Sequence, residues 1–148
     1  MEAANGIWHG AYVCVFNEDF SKLLLLKRAM GGKKSGGKWG NVGGSVEPGE
    51  TPLQACIREA NEETGLVLRP ENLVSVYVKR GVMYFFATSI PEGTKIVLNE
   101  ESDRYEWFSL ENLPEKTLDK KNELLRWRDR ARSGLGKAVQ APKPSSAI

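Results

Sequence analysis

The chain has 148 residues, 41% of them hydrophobic and 27% charged, with a net charge of +2. That composition describes one globular domain with a single sizeable core and no room for a second catalytic domain. The longest uncharged apolar stretches, residues 11–16 and 23–26, are far too short to span a membrane, and the N-terminus lacks the basic and apolar regions of a signal peptide. The sequence is therefore read as a cytoplasmic protein with no membrane contact.

Ala11 to Phe16 and Leu23 to Arg28 are apolar runs separated by Asn17-Glu18-Asp19-Phe20, the pattern of two strands joined by a short turn. A glycine-lysine loop follows. Its segment Gly32 to Trp39 nearly matches the phosphate-binding loop GxxxxGK[ST], but Trp39 stands in the hydroxyl position and the segment leads into a strand, so the helix N-terminus such loops use is missing. Lys27, Arg28, Lys33, Lys34 and Lys38 are read either as positive charge around a substrate's phosphates or as solvated surface residues. Trp39 to Val42 predicts a short strand entering Gly43-Gly44.

Thr51-Pro52-Leu53-Gln54 then carries a helix start: a threonine cap, proline at the first helical position and glutamine completing a capping box. Gly65 supplies the left-handed residue that ends a helix, which predicts a helix over 52–64. Leu53, Cys56, Ile57, Ala60 and Thr64 form its apolar stripe, while Glu59, Glu62 and Glu63 gather on another face. Three like charges at this spacing repel one another and, near a helix C-terminus, oppose the macrodipole. A hard divalent cation would compensate, and an all-oxygen cluster suits Mg²⁺ or Mn²⁺ better than zinc. A solvated acidic face is the alternative reading of the glutamates taken alone. Cys14 and Cys56 both fall on buried positions and are read as reduced packing residues.

Further strands are expected over 73–78 and 82–90 with a turn at Lys79-Arg80-Gly81, and another over 104–108. Leu110 to Leu113 reads as a helical turn. A C-terminal helix is expected over 117–132 with Leu118, Leu124, Leu125 and Trp127 inward, and residues 133–148 as a disordered basic tail behind a domain of residues 1–132.

The segment Gly44 to Leu66 resembles the Nudix box, G-x5-E-x7-R-E-U-x-E-E-x-G-U with U a bulky apolar residue; only Ala60 is smaller than usual. Seven specified letters at usages near 7% give a chance match of about 10⁻⁸ per window, so the match is informative. The likeness extends upstream to residues 22–28 and 38–44 and downstream to residues 101–114, covering about residues 10–132. It implies an α/β/α sandwich with a mixed sheet, and hydrolysis of a nucleoside diphosphate linked to a group X by water attack on phosphorus. By motif position, Glu59, Glu62 and Glu63 would hold Mg²⁺ (or Mn²⁺), joined by the Gly43 carbonyl, Glu50 and Glu101. Arg58 would orient a glutamate, and the general base would be Glu63, Glu62 or Glu101, with Glu100 competing for the last position.

Arg28, Lys38, Trp39, Tyr84 and Phe86 are candidates for substrate binding, as is Tyr12, since a nucleobase needs stacking surfaces and strand residues alternate toward a pocket. A nucleoside triphosphate, an oxidised nucleotide and a dinucleoside polyphosphate all remain open as substrates. The alternative is a non-catalytic Nudix-fold nucleotide- or RNA-binding regulatory module, although such modules usually lose box glutamates. From Lys116 onward the chain has nine basic and three acidic residues, a net +6 against −4 before it, which could bring RNA to the C-terminus. Homodimerisation is frequent in the family.

Overall fold

The computed structural model describes residues 7–31 and 36–140, the last five by backbone alone. Lys33, Lys34 and the tail from 141 onward lie outside the described residues. In chain order the elements are β1 Gly10–Phe16, β2 Lys22–Arg28, β3 Trp39–Gly40, β4 Val42–Ser45, α1 Pro52–Thr64, β5 Val74–Lys79, β6 Met83–Ser89, β7 Ser102–Ser109 and α2 Lys121–Gln140, with a 3-10 turn at Pro70–Asn72.

The strands join in one mixed sheet with the path β3-β2-β1-β6-β5, β4 adding to β1 and β7 to β2. The β1–β2 hairpin meets only at its turn, at Val15↔Leu24 and Phe16↔Leu23. Beyond that, β1 runs parallel to β6 and antiparallel to β4, and β2 turns away to pair with β7. Period-two alternation explains the unbroken apolar runs. Leu23 and Leu25 pack on the face covered by α2, with Leu124, Trp127 and Ala131, whereas Leu24 and Leu26 pack on the α1 face with Ala55, Cys56 and Ala60. Trp127 anchors the α2 side by stacking on Phe85 at 4.4 Å between ring centroids. A helix on each face makes the expected α/β/α sandwich.

The helix α1 has the predicted bounds, cap and reciprocal Thr51–Gln54 bonds, and Gly65 ends it with φ 75°. Other expectations change. The strand foreseen over 39–42 divides at Asn41, because Trp39 and Gly40 pair with β2 while Val42 onward pairs with β1. The C-terminal helix begins at Lys121, not Thr117. Thr117 bridges to Trp39, and Leu118 N–H donates to the Trp39 carbonyl at 2.8 Å, so these backbone groups are taken by the sheet. Leu118 is consequently exposed rather than inward. At its far end α2 runs past Ser133 to Gln140, and Gly134 lies against Val74. A hydrogen-bonded turn closed by Asn112 N–H on the Ser109 carbonyl stands where a helical turn is expected over 110–113. No helix among the described residues is long and apolar enough to cross a membrane.

Candidate active site

Two adjoining glycines in β4 let the strand lie close against β1 on one side and α1 on the other. At Gly43, with φ 152°, a Cβ would come within 2.3 Å of the Ala11 carbonyl, and at Gly44 a Cβ would meet the Glu59 carboxyl at 2.6 Å. The glutamates of α1 therefore rest directly on the backbone of β4. Gly43 N–H donates to Glu63 Oε1 at 3.0 Å. Glu63 is only 6% exposed, turned in against the glycine pair.

Arg58 organises the remaining carboxylates. It donates through Nε and Nη2 to the two oxygens of Glu50, at 2.7 and 3.1 Å, through Nη2 to the Ser45 carbonyl, and through Nη1 to Glu59 and Glu62, both at 3.2 Å. A planar, forked guanidinium is the group suited to this many acceptors. Glu50 also accepts from Glu47 N–H, and its bonds to Arg58 hold its carboxyl below the usual range. It is absent from the cleft lining. Glu50 is thus Arg58's anchor in the structure rather than a group facing the cleft.

Glu59, Glu62, Glu63 and Glu101 line one cleft of about 420 Å³ together with Gly43, Gly44, Arg58 and Arg28. Burial pushes the Glu63 carboxyl up to about 8, and Glu59 and Glu101 push it further in the same direction while the Gly43 bond opposes them. Glu59 is also raised, by burial first. Glu101 rather than Glu100 faces this cleft; Glu100 opens onto a neighbouring recess beside Ala29 and Gly31. The donor set of carboxylate and carbonyl oxygens, short of positive charge at Glu63, fits a hard divalent cation. Among the described residues no three such groups already converge as ligands. Arg58 draws Glu59 and Glu62 to itself, so a cation must compete for them.

A second cleft of about 240 Å³ adjoins the first and shares Tyr12 and Arg28 with it. Its other walls are Met83, Phe85, Leu118, Lys79, Asn41 and Asp119. Asn41 donates its side-chain N–H to Asp119 at 2.9 Å, which leaves Asn41 Oδ1 buried with no partner. Arg28 Nε is likewise buried and unpaired. Burial raises the Asp119 carboxyl, and its bond from Asn41 opposes that.

Of the expected substrate residues, Arg28 reaches both clefts and Tyr12 lines both. Trp39 is buried on the α2 face, edge-on to Phe108 at 4.9 Å, and Lys38 is exposed, lining neither cleft. Tyr84 and Phe86 lie on the α1 face, with the Tyr84 hydroxyl bonded to the Gly81 carbonyl. Phe85, opposite Tyr12 in the parallel β1–β6 register, is the β6 aromatic in the wall of the second cleft, itself buried beside Tyr12. Selecting Tyr84 and Phe86 is a one-residue parity difference in a period-two element. Asn41 and Asp119 carry no motif; the sheet break at Asn41 and the Trp39–Thr117 bridge bring them together.

A carboxylate cleft built on one helix of an α/β/α sandwich is an oxygen-rich site of the kind that suits a hard divalent cation. The NUDIX domain model matches residues 8–128. An ADP-ribose pyrophosphatase of Methanocaldococcus jannaschii is 32% identical over 122 residues, covering 76% of this chain and 70% of that protein. A putative 8-oxo-dGTP diphosphatase of Bacillus subtilis is 33% identical over 108 residues, covering 71% and 68%. Among solved structures, the MutT protein of Methanosarcina mazei Go1 is 28% identical with a TM-score of 0.59, covering 83% of this chain and 93% of that one. The chain belongs to the Nudix hydrolase family and is an enzyme of that kind.

Proposed function

We propose that the enzyme is an Mg²⁺- or Mn²⁺-dependent pyrophosphohydrolase of nucleoside diphosphates linked to a group X, with a preference for guanine-type bases. The observation that carries this reading is the shared wall: one cleft offers carboxylates for a phosphate-bound cation, and the adjoining one offers an apolar side together with Asn41 and Asp119, besides Arg28 and Lys79. Relatives named for ADP-ribose and 8-oxo-dGTP are consistent with a nucleotide substrate.

In the second cleft Tyr12 and Met83 form the apolar wall for the base, backed by the buried Phe85 ring stacked against Tyr12. Asn41 donates one side-chain N–H to Asp119, and the edge the pair presents carries two acceptors, Asn41 Oδ1 and the Asp119 carboxylate. Guanine and its oxidised forms offer adjacent N–H donors to such an edge; adenine and cytosine offer a donor beside an acceptor and leave one polar group unpaired. Arg28, between the clefts, holds the phosphate oxygens.

Glu59, Glu62, Glu63 and the Gly43 carbonyl would hold the cation, which when bound neutralises phosphate oxygens and makes water a better nucleophile. Arg58 fixes the orientation of Glu59 and Glu62. Glu101 is the cleft glutamate that neither Arg58 nor a backbone N–H engages among the described residues, and it accepts the proton of the attacking water. The oxygen of that water joins phosphorus as the P–O bond of the pyrophosphate breaks, leaving a nucleoside monophosphate and a phosphorylated X. The test is product analysis with guanine, 8-oxoguanine and adenine nucleotides, each with Mg²⁺ or Mn²⁺, and a Glu63→Gln control. Cation-dependent cleavage led by guanine-type substrates is expected; equal rates on adenine nucleotides would remove the base assignment, and no cleavage would remove the substrate class.

A further inference from the structure

A third and much smaller cavity, of about 10 Å³, has Arg28, Gly40, Asn41, Glu63 and Glu101 in its wall. It shares Arg28 and Asn41 with the base cleft, and Arg28, Glu63 and Glu101 with the carboxylate cleft. A single water needs about 10–15 Å³, so the cavity admits one water and no larger solute.

Among the described residues, two buried side-chain atoms have no hydrogen-bond partner, and both belong to this wall: Arg28 Nε, a donor, and Asn41 Oδ1, an acceptor. Native proteins seldom leave such groups unpaired, because each forfeits its hydration for nothing. A Cβ on Gly40 would stand 3.7 Å from Arg28 Nε, which places that atom at the cavity's edge. Asn41 cannot satisfy itself by turning over. With Asp119 ionised, a reversed amide would lose its 2.9 Å bond and set two oxygens against each other. Nor does Arg28 close on Glu63: its charge lowers the Glu63 carboxyl, yet its Nε has no partner there.

We propose that this cavity is a binding site for one ordered water, which accepts from Arg28 Nε–H, donates to Asn41 Oδ1 and donates again to the acidic wall of Glu63 and Glu101. Three hydrogen bonds are the usual number for a buried water. The amide oxygen has two lone pairs, so Asn41 keeps an acceptor for the base. The water makes Arg28 and Glu63 a bridged pair instead of a direct one. That spacing has a use, which rests on the phosphate and cation placement argued above. An arginine closed onto Glu63 would occupy the carboxylate meant for the cation and withdraw its own donors from the phosphates.

Gly40 supplies the test, since it touches neither substrate nor cation in that placement. In Gly40→Ala the methyl enters beside Arg28 Nε and takes the water's space, displacing only the exposed end of Leu118, 2.8 Å from the added Cβ. Gly40→Ser adds the same Cβ with a hydroxyl, a donor and acceptor in place of the water. Gly40→Ser is expected to exceed Gly40→Ala in folding equilibrium constant, from urea unfolding, by roughly 5- to 150-fold, equivalent to about 1–3 kcal/mol. A serine variant no more stable than the alanine variant overturns the water site. So does a high-resolution crystal structure of the wild type in which Arg28 Nε bonds directly to protein, or in which no water lies between it and Asn41 Oδ1. KM for GTP should be several-fold higher in Gly40→Ala than in Gly40→Ser, and equal KM with unequal stability overturns the spacing role. Unfolding and crystallography need no substrate, so a wild type that cleaves no nucleotide overturns the proposed function without touching the water site.

Discussion

Replacing Glu63 by Gln should stabilise the metal-stripped protein at high pH while abolishing its activity. Gln keeps an oxygen acceptor for Gly43 N–H and nearly the same volume, so the change removes chiefly the charge. In the folded protein Glu63 titrates at about 8 against an ordinary 4.5, mainly because it is buried. Between those values the folded state binds more protons than the unfolded one, so stability contributed by Glu63 is fully present below about 4.5 and is lost as pH rises to about 8. At 1.36 kcal/mol per pH unit the ceiling is ~5 kcal/mol, and relaxation of the side chain toward the cleft reduces the expected effect to about 2–4 kcal/mol. Urea unfolding with excess chelator should give Glu63→Gln and wild type nearly equal stability at pH 5, with the variant ahead at pH 8.5. Adding Mg²⁺ at pH 8.5 should close the gap, since binding to the folded carboxylates stabilises only the wild type appreciably. A Gln variant no more stable than wild type at pH 8.5, or equally favoured at both pH values, would refute the argument that burial holds this carboxylate under strain.

Arg58→Ala should cost about 1–3 kcal/mol in thermal or urea unfolding, because Glu50, Glu59 and Glu62 lose a shared charged donor; Arg58→Lys should recover little of the activity, having no fork for Glu50. Glu101→Gln should lower kcat about 10²- to 10⁴-fold with little effect on unfolding, and unchanged turnover would remove it as the base. Asp119→Asn should narrow the preference for guanine over adenine nucleotides by about 1–3 kcal/mol in relative kcat/KM. Because burial raises Asp119, its acceptor form is the deprotonated one present at higher pH, and the same preference should decline as pH is lowered; a pH-independent ratio in the wild type would exclude Asp119 from base recognition.

The acidic site was legible in the sequence because its parts are local. A cap at Thr51, a stop at Gly65 and a period of 3.6 place Glu59, Glu62 and Glu63 on one helix whatever the rest of the chain does. Their division of labour was not legible. Glu63 goes inward because the Gly43-Gly44 backbone comes close enough to accept it, and Glu50 is claimed by Arg58 across the loop. Likewise Leu118 reads as a helix position in sequence, but the bridge to Trp39 holds it in the sheet and turns it outward beside Asp119. The base cleft is the clearest case. Asn41, Phe85 and Asp119 lie far apart in the chain, and only the β1–β6 register together with the break between β3 and β4 makes them neighbours. The sequence by itself determined the helix, the carboxylates and the family; which strand face meets the cleft, and so what the substrate touches, was decided by long-range pairing, in which a shift of one residue reverses every side chain.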